Sequence, residues 1–163
     1  MDNKRIGFIG VGAMGLPMAL RLCQAGYDVV FTSRRDEAVE RLTAAGATAV
    51  PTPLLVASQS DVVMSCLPAD DDLFQVFLGP DSVIENMQPG GTIIDFSTTS
   101  PMMIQRVAAE AARRQIRVVD APVSGGVYGA ERGTLTLMVG ADSAVLEEVR
   151  PLLEVVGSKI YHV

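Results

Sequence analysis

The sequence predicts an α/β fold, in which a doubly wound and mostly parallel sheet carries helices on both of its faces. Three observations support this fold class. Apolar residues make up 48% of the 163 residues, which suits strands buried on both faces. Short apolar runs alternate with longer segments of helical period. Glycines stand where several of these helices should end. The length is that of one core, so we expect residues 1–163 to form a single domain.

The alternation of strand-like and helix-like segments defines the expected elements, and its repetition indicates βαβ units. Strands are predicted at residues 6–9, 29–31, 47–50, 61–66, 92–95, 117–120, 135–139 and 159–162. Helices are predicted at residues 13–25, 37–45, 53–58, 71–78, 101–115 and 143–156. Left-handed helix ends are predicted at Gly26, Gly46 and Gly157. A turn-rich loop is predicted at residues 121–133, which contain four glycines and one proline.

Charge and composition exclude two classes of partner. The net charge is −6 at pH 7, and the basic residues are dispersed, whereas a nucleic-acid surface needs clustered Lys and Arg. No apolar run is long enough for a membrane span, and the sequence enters a strand pattern without a signal-peptide core. We therefore expect a cytoplasmic protein with no nucleic-acid or membrane partner. Cys23 and Cys66 stand in no metal-ligand or redox spacing, which predicts free, buried thiols and no metal site.

A glycine-rich loop follows the first predicted strand and precedes the first predicted helix. It reads GVGAMG over residues 10–15, a GxGxxG pattern in the context that gives the pattern its meaning. Its glycines permit a tight turn, a close approach of the backbone to a pyrophosphate, and close packing of the helix on the strand. Amides at the helix start would face the phosphates. The loop predicts a Rossmann-type dinucleotide site, with a structural turn as the alternative. The expected contacts are Gly10, Gly12, Ala13, Met14 and Gly15.

The end of the second predicted strand indicates which dinucleotide is preferred. NAD-preferring sites usually carry Asp or Glu about 20 residues beyond the glycine loop, but this chain reads Thr32-Ser33-Arg34-Arg35 there. Ser33 can hydrogen-bond a 2′-phosphate, and Arg34 or Arg35 can pair with it and stack on adenine. The sequence therefore predicts NADP as the preferred cofactor, with NAD possible. Two solvated arginines at a strand end are the alternative.

Residues that directly follow the other strands are further candidates, because ligands of doubly wound sheets lie outside the carboxyl ends of the strands. Cys66-Leu67-Pro68 closes the fourth predicted strand, and Ser97-Thr98-Thr99 follows the fifth. The segment DAPVSGG, residues 120–126, follows the sixth. The topology places all of these at one rim of the sheet.

Motifs spread over the whole chain resemble those of one enzyme family. The matching segments are residues 7–15 with Met18 and Ala19, Leu67-Pro68, residues 95–98 (DFST), residues 120–126 with Ala130, and residues 133–135 (GTL). With these motifs the chain resembles the cofactor domain of the 3-hydroxyisobutyrate dehydrogenase family of β-hydroxyacid dehydrogenases, relatives of 6-phosphogluconate dehydrogenase. The DAPVSGG segment is far more specific than the glycine loop.

The resemblance implies roles for two groups of rim residues. Leu67, Pro68 and Thr98 are expected to contact the nicotinamide side of the cofactor. Ser124, Gly125 and Gly126 are expected to hold a substrate carboxylate. The local chemistry agrees, since a serine hydroxyl and successive glycine amides can form an anion-binding concavity, although Ser and Gly also build plain turns.

Three aspartates depart from the family pattern. Family members often carry a polar, uncharged residue a few places after the Leu-Pro pair, where this chain has Asp70-Asp71-Asp72. A carboxylate near phosphates is unfavourable unless it faces away, so Asp72 is not expected to take over a cofactor contact. We expect these aspartates to cap a helix and to complement its dipole.

Proton exchange with a hydroxyacid needs an acid or base beside the reacting carbon, and none is predicted in this chain. The only lysines are Lys4 and Lys159, and the one histidine, His162, is the penultimate residue. The resemblance implies that the catalytic lysine lies beyond Val163, on a long helix that a glycine-rich segment opens and that leads into an all-helical domain, parts that this chain lacks. We therefore expect an oxidoreductase of small β-hydroxyacids or semialdehydes that is a homo-oligomer at full length, while the chain alone binds cofactor without turnover. A non-catalytic dinucleotide-binding module and an imine reductase are the alternatives.

Overall fold

The computed structural model describes residues 3–163. Its strands are β1 Arg5–Ile9, β2 Asp28–Thr32, β3 Thr48–Ala49, β4 Val62–Ser65, β5 Thr92–Asp95, β6 Arg117–Asp120, β7 Val123–Ser124, β8 Leu135–Val139 and β9 Gly157–His162. Its helices are α1 Gly15–Gln24, α2 Asp36–Ala44, α3 Pro53–Ser58, α4 Asp70–Leu78, α5 Val83–Asn86, α6 Pro101–Arg113, α7 Gly126–Arg132 and α8 Ser143–Val156. The predicted α/β class is confirmed.

Six strands form a parallel sheet in the order β3-β2-β1-β4-β5-β6. Successive strands run outward from β1 to β3, and the chain then crosses back to place β4 on the other side of β1. Ile9 at the end of β1 therefore pairs with Thr32 of β2 on one side and with Ser65 of β4 on the other. This reversal of strand order opens a crevice at the carboxyl ends of the strands, which is where Rossmann folds bind dinucleotides.

The sheet separates two apolar cores, because successive residues of a strand point to opposite faces. Val62 and Met64 of β4 belong to a core under α1, α2 and α8. Val63, between them, belongs to a second core under α3, α4, α5 and α6. Burial on both faces explains why the strands are continuous apolar runs rather than alternating ones.

The last strands do not extend this sheet. β7, β8 and β9 form a separate three-stranded sheet, in which β7 is antiparallel and β9 parallel to β8. An antiparallel bridge joins the two sheets, with the Asp120 amide donating to the Gly140 carbonyl at 3.0 Å and the Gly140 amide donating to the Asp120 carbonyl at 2.8 Å. β7 cannot pair in parallel with β6, because only two residues separate the two strands and a parallel crossover needs about a dozen.

The predicted loop at residues 121–133 is wrong, since it contains β7 and α7. Gly133 adopts a left-handed conformation (φ 68°) and ends α7, so this glycine acts as a helix stop. Gly129 is buried in α7, where the Leu135 side chain leaves little room for a Cβ. The short helix α5 was also absent from the predicted elements.

The predicted left-handed helix ends are confirmed at Gly26 and Gly46, with φ of 90° and 97°. The prediction is wrong at Gly157, which is extended and begins β9 directly after α8. A side chain at Gly157 would collide with Leu137 and with the Leu135 carbonyl. Glycine is therefore required there by the close approach of β8 and not by a turn.

Candidate dinucleotide-binding site

A groove of about 700 Å³ lies at the carboxyl ends of β1, β2 and β4. It brings together seven residues that the sequence predicted from three separate segments. These are Gly10, Gly12, Ser33, Arg34, Arg35, Leu67 and Pro68. The crevice at the reversal of strand order is therefore lined by the glycine loop, the polar end of β2 and the Leu-Pro pair after β4.

The glycine loop has two glycines with no room for a side chain and one glycine that has room for it. Gly10 has a φ of 89°, and a Cβ there would collide with the Cys66 carbonyl. A Cβ on Gly15 would collide with the Gly10 carbonyl oxygen. In contrast, no heavy atom lies within 4 Å of the Cβ position of Gly12. The loop is thus closely packed at Gly10 and Gly15, while the groove is open at Gly12.

Three of the five predicted loop contacts, Ala13, Met14 and Gly15, are not among the lining residues of the groove. Ala13 is exposed, and Met14 is the half-buried residue that precedes the first turn of α1. Gly15 is buried at the start of that helix. Their backbone amides are the groups that could face an anion here, because the first turn of a helix has amides without partners inside the helix.

The end of β2 presents Ser33, Arg34 and Arg35 to the same groove. The Ser33 hydroxyl oxygen accepts a hydrogen bond from the Arg35 amide at 3.1 Å, which leaves the hydroxyl hydrogen available to an anion. The Arg35 guanidinium lies 3.7 Å from the Glu37 carboxylate. Arg34 is exposed beside them. Of these two arginines, Arg34 is therefore the one whose guanidinium group is not paired with a carboxylate.

Hydrogen bonds connect the ends of β4 and β5. The Leu67 amide donates to the Ser97 hydroxyl at 2.8 Å, and that hydroxyl donates to Asp95 Oδ1 at 2.6 Å. Ser65 donates to the same carboxylate oxygen at 2.7 Å. Thr98, which follows Ser97, is exposed and lies outside the groove lining. The segment that carries Leu67 and the segment that carries Thr98 are therefore bonded to each other.

Ser124, Gly125 and Gly126 lie apart from the groove. Ser124 is in β7, paired with Thr136 of β8, and Gly126 begins α7. All three are exposed. They follow β6, so they occupy the same rim of the fold two strands away from β4.

The groove also has lining residues that the sequence analysis missed. They come from the segment after β3 and from the first turns of α4. These residues are Pro51, Pro53, Asp72, Gln75 and Val76. One signal could have identified two of them, since Pro51 and Pro53 follow a predicted strand. Residues 72, 75 and 76 share one face of α4, but their spacing does not mark it as the face that meets the crevice.

The expectations for the three aspartates are confirmed only in part. All three lie in the first turn of α4, as dipole complementation requires. However, the residue preceding the helix is Ala69, and its side chain makes no capping hydrogen bond. The Asp70 carboxylate instead accepts hydrogen bonds from Thr99 and Ser100, which lower its pKa. Asp72 lines the groove, so it does not face away from the site.

A buried carboxyl group, that of Asp95, and a half-buried one, that of Asp120, lie side by side beneath this rim. Asp95 and Asp120 are in register on β5 and β6. Burial raises the pKa of Asp95, against hydrogen bonds that lower it. Burial also raises the pKa of Asp120, and the charge of Asp95 adds to that increase. Within residues 3–163, Oδ2 of Asp95 and Oδ1 of Asp120 have no hydrogen-bond partner, so the charged forms are poorly compensated.

We expect Asp120→Asn to change how stability depends on pH. A carboxyl group with a raised pKa in the folded state stabilises the fold at low pH, and this contribution is lost as the pH rises through the folded pKa. The free energy of unfolding of Asp120→Asn, minus that of the unaltered chain, should therefore increase between about pH 4 and neutrality.

This difference is measured by urea denaturation at a series of pH values. Carboxylates with lowered pKa, such as Glu147 and Glu148, titrate in both proteins and cancel from the difference. The exposed Asp71→Asn is the matched control. A difference for Asp120→Asn that is flat or falls with pH would contradict the prediction.

Cys23 and Cys66 are free, as predicted, but both are half-buried rather than buried. Burial, with the nearby Asp95 charge, raises the pKa of Cys66 to about 11, so this residue is a thiol at neutral pH. No helix in residues 3–163 has the length and apolar character needed to cross a membrane. Over the same residues, no cluster of three or more His, Cys, Asp or Glu side chains could hold a metal ion.

The family of this chain is decided by a match that covers nearly all of it. Residues 5–163 match the family described as the NAD binding domain of 6-phosphogluconate dehydrogenase. The chain belongs to this family. The resemblance to the cofactor domain of β-hydroxyacid dehydrogenases, seen in the glycine loop and the DAPVSGG segment, is therefore confirmed.

Individual relatives agree with this assignment. Over 159 residues the chain is 44% identical to 2-(hydroxymethyl)glutarate dehydrogenase of Eubacterium barkeri and 42% identical to NAD-dependent L-serine dehydrogenase of Pseudomonas aeruginosa. Each match covers 98% of this chain and 53% of the relative. The chain thus spans about half the length of these enzymes, and it is a cofactor-binding domain of the hydroxyacid dehydrogenase type.

Solved structures show the same fold. The 3-hydroxyisobutyrate dehydrogenase of Mycobacterium tuberculosis, determined with L-serine, superposes with a TM-score of 0.91 at 34% identity, over 98% of this chain and 54% of that one. An imine reductase from Pseudomonas sp. superposes with a TM-score of 0.83 at 21% identity, over 98% and 55%. At that identity, the imine reductase shows only that the fold is shared.

Proposed function

We propose that this domain serves an NADP-preferring dehydrogenase or reductase of small β-hydroxyacids or their semialdehydes. The observation that carries the proposal is the single groove shared by the glycine loop, Ser33 and Arg34, and Leu67-Pro68. A dinucleotide needs these three environments in one crevice: amides for its pyrophosphate, polar groups for its ribose, and an apolar surface for its nicotinamide. Bound there, the cofactor would supply hydride chemistry at the nicotinamide ring.

The fit of the groove to a dinucleotide rests on the glycine loop. Gly10 and Gly15 have no room for a side chain, whereas Gly12 leaves its face of the groove open. A phosphate could therefore approach the backbone at Gly12 and meet the amides of Ala13, Met14 and Gly15 at the start of α1. Leu67 and Pro68 would face the nicotinamide, and Thr98 would lie beside it.

The preference for NADP rests on charge at the end of β2. A 2′-phosphate is a doubly charged acceptor, which suits the Ser33 hydroxyl and the exposed Arg34 guanidinium. The Pseudomonas aeruginosa relative is named as NAD-dependent, so the choice of cofactor is the point that an experiment must decide.

Arg34→Ala is expected to weaken NADPH binding by at least about tenfold and to leave NADH binding within about twofold, because one charge-assisted contact to the 2′-phosphate is lost. Calorimetric titration of the purified chain at one salt concentration measures both affinities. Arg41→Ala is the matched control, since Arg41 is an exposed arginine of α2 that pairs with Glu37 and does not line the groove. An unaltered chain that binds NADH at least as tightly as NADPH would refute the NADP preference.

Ser124, Gly125 and Gly126 are proposed to bind the substrate carboxylate. Their exposure on the rim, two strands from the nicotinamide end of the groove, supports this role. We infer that proton exchange uses a lysine in the half of the protein that the relatives have in addition to the matched domain. Lys4 precedes β1 and so lies toward the amino ends of the strands, opposite the rim, and Lys159 lies in β9. The chain alone is therefore expected to bind cofactor without reducing a small semialdehyde, which a turnover assay with NADPH tests.

A further inference from the structure

The Asp70 carboxylate, at the start of α4, is bonded to the segment that precedes α6. Asp70 Oδ1 accepts hydrogen bonds from the Thr99 hydroxyl at 2.7 Å and from the Ser100 amide at 3.0 Å. Asp70 Oδ2 accepts a third from the Ser100 hydroxyl. The Ser100 hydroxyl oxygen also caps α6 by accepting from the Met103 amide. One side chain thus ties α4 to the first turn of α6.

Thr98 lies between this attachment and a second one. On its amino-terminal side, the Ser97 hydroxyl is bonded to Asp95 and to the Leu67 amide. On its carboxyl-terminal side, Thr99 and Ser100 are bonded to Asp70. Two carboxylates therefore hold the residues on either side of Thr98, while Thr98 itself is exposed at the rim.

Helix dipole complementation alone does not explain the hydrogen bonds that Asp70 accepts. A carboxylate in the first turn of a helix is stabilised there whichever way its side chain points. Asp71 and Asp72 occupy the same turn, yet among the three it is Asp70 that accepts hydrogen bonds from Thr99 and Ser100. The hydrogen bonds from Ser100 and Thr99 hold the pKa of Asp70 below its usual range, so it stays charged at neutral pH and its bonds remain charge-assisted.

We propose that Asp70 is a positioning residue that holds Thr98 and the Leu67-Pro68 segment in place for the nicotinamide half of the cofactor. This inference rests on the proposed function. Without the attachment, residues 98–100 would have to be ordered when the cofactor binds, and the conformational entropy lost would weaken binding. The adenosine half meets other residues of the groove, near Ser33 and Arg34, so its binding should not depend on Asp70.

Comparison of whole cofactors with their fragments tests this inference. Calorimetry measures the affinities of the purified chain for NADPH and for 2′-phospho-ADP-ribose, which lacks nicotinamide. NADH and ADP-ribose form a second pair. The variants are Asp70→Ala, Asp70→Asn and the matched control Asp71→Ala, which removes the same charge from the same helical turn without breaking these three bonds. Circular dichroism verifies that each variant is folded.

Asp70→Ala is expected to weaken binding of the dinucleotide by about tenfold and binding of its fragment by less than about twofold. Asp70→Asn retains one acceptor oxygen, so its loss of dinucleotide affinity should be smaller, about threefold. If Asp70→Ala does not fold, Asp70→Asn is the variant that tests the inference. Asp71→Ala should change neither affinity.

Equal losses for dinucleotide and fragment would show a purely structural role and overturn the inference. No loss for either ligand would overturn it as well, as would an unaltered chain that gains no affinity from the nicotinamide half. An unaltered chain that binds neither dinucleotide would overturn the proposed function itself.

Discussion

Gly15→Ala is expected to lower the free energy of unfolding by about 3 kcal/mol, because the added methyl group overpacks against backbone that cannot move aside. Its Cβ would collide with the carbonyl oxygen and carbon of Gly10 and press on the Phe8 ring. Gly10 in turn is held against the Cys66 carbonyl, so the collision would be transmitted from α1 to the ends of β1 and β4.

Urea denaturation followed by circular dichroism measures this loss. Gly12→Ala is the matched control, since its Cβ would have no neighbour within 4 Å and its backbone needs no left-handed conformation. We expect the control to lie within about 0.5 kcal/mol of the unaltered chain, as is usual for surface substitutions. Similar losses for the two alanine variants would show that the crowding at Gly15 is easily relaxed and would contradict the prediction.

Gly12→Val is expected to weaken dinucleotide binding by about 100-fold while the chain remains folded, because the side chain would occupy the space that a pyrophosphate needs near the loop amides, whose charge-assisted bonds are lost. The space at Gly12 is open in the structure and belongs to the groove. Binding is measured by titration with NADPH and NADH, and folding by the thermal midpoint.

Gly140→Ala provides the control for adding a side chain to a glycine elsewhere. Its Cβ would meet Asp120 Cβ at an ordinary contact distance of 3.8 Å, and Gly140 does not line the groove. Its affinity should match that of the unaltered chain. Retention of dinucleotide binding by folded Gly12→Val would mean that the cofactor does not use this loop.

The sequence predicted those parts of the fold that are encoded by local pattern. Apolar runs predicted all six strands of the main sheet, and glycines marked the ends of α1 and α2. The sheet to which β8 and β9 belong could not be predicted from local pattern, since their apolar pattern is the same whether they extend the main sheet or form a second one. That choice depends on the two-residue connection from β6 to β7 and on the bridge between Asp120 and Gly140.

Glycine was the least reliable signal because it serves several physical purposes. At Gly133 it ends a helix, and at Gly157 it makes room for a neighbouring strand. Only the tertiary structure distinguishes these uses. Four glycines in residues 121–133 therefore suggested an irregular loop where α7 is present.

The candidate site was predictable where a motif directly follows a strand. Gly10, Ser33 and Leu67 were each expected at the rim, and the structure places them in one groove. Gln75 and Val76 were missed because they lie within a helix, and no motif marks which face of α4 meets the crevice. The attachment of Asp70 to Ser100 was also not predictable, because it joins residues 30 positions apart through side chains.

The bridge between Asp120 and Gly140 also bears on self-association. Exposed edge strands offer unpaired backbone groups to other chains and so promote aggregation. In the main sheet one edge is β3, which has only two residues. At the other edge, β6, the Asp120 amide and carbonyl are already paired with Gly140. One edge is thus short and the other is paired at its carboxyl end, which limits the length of strand that a second molecule could pair with.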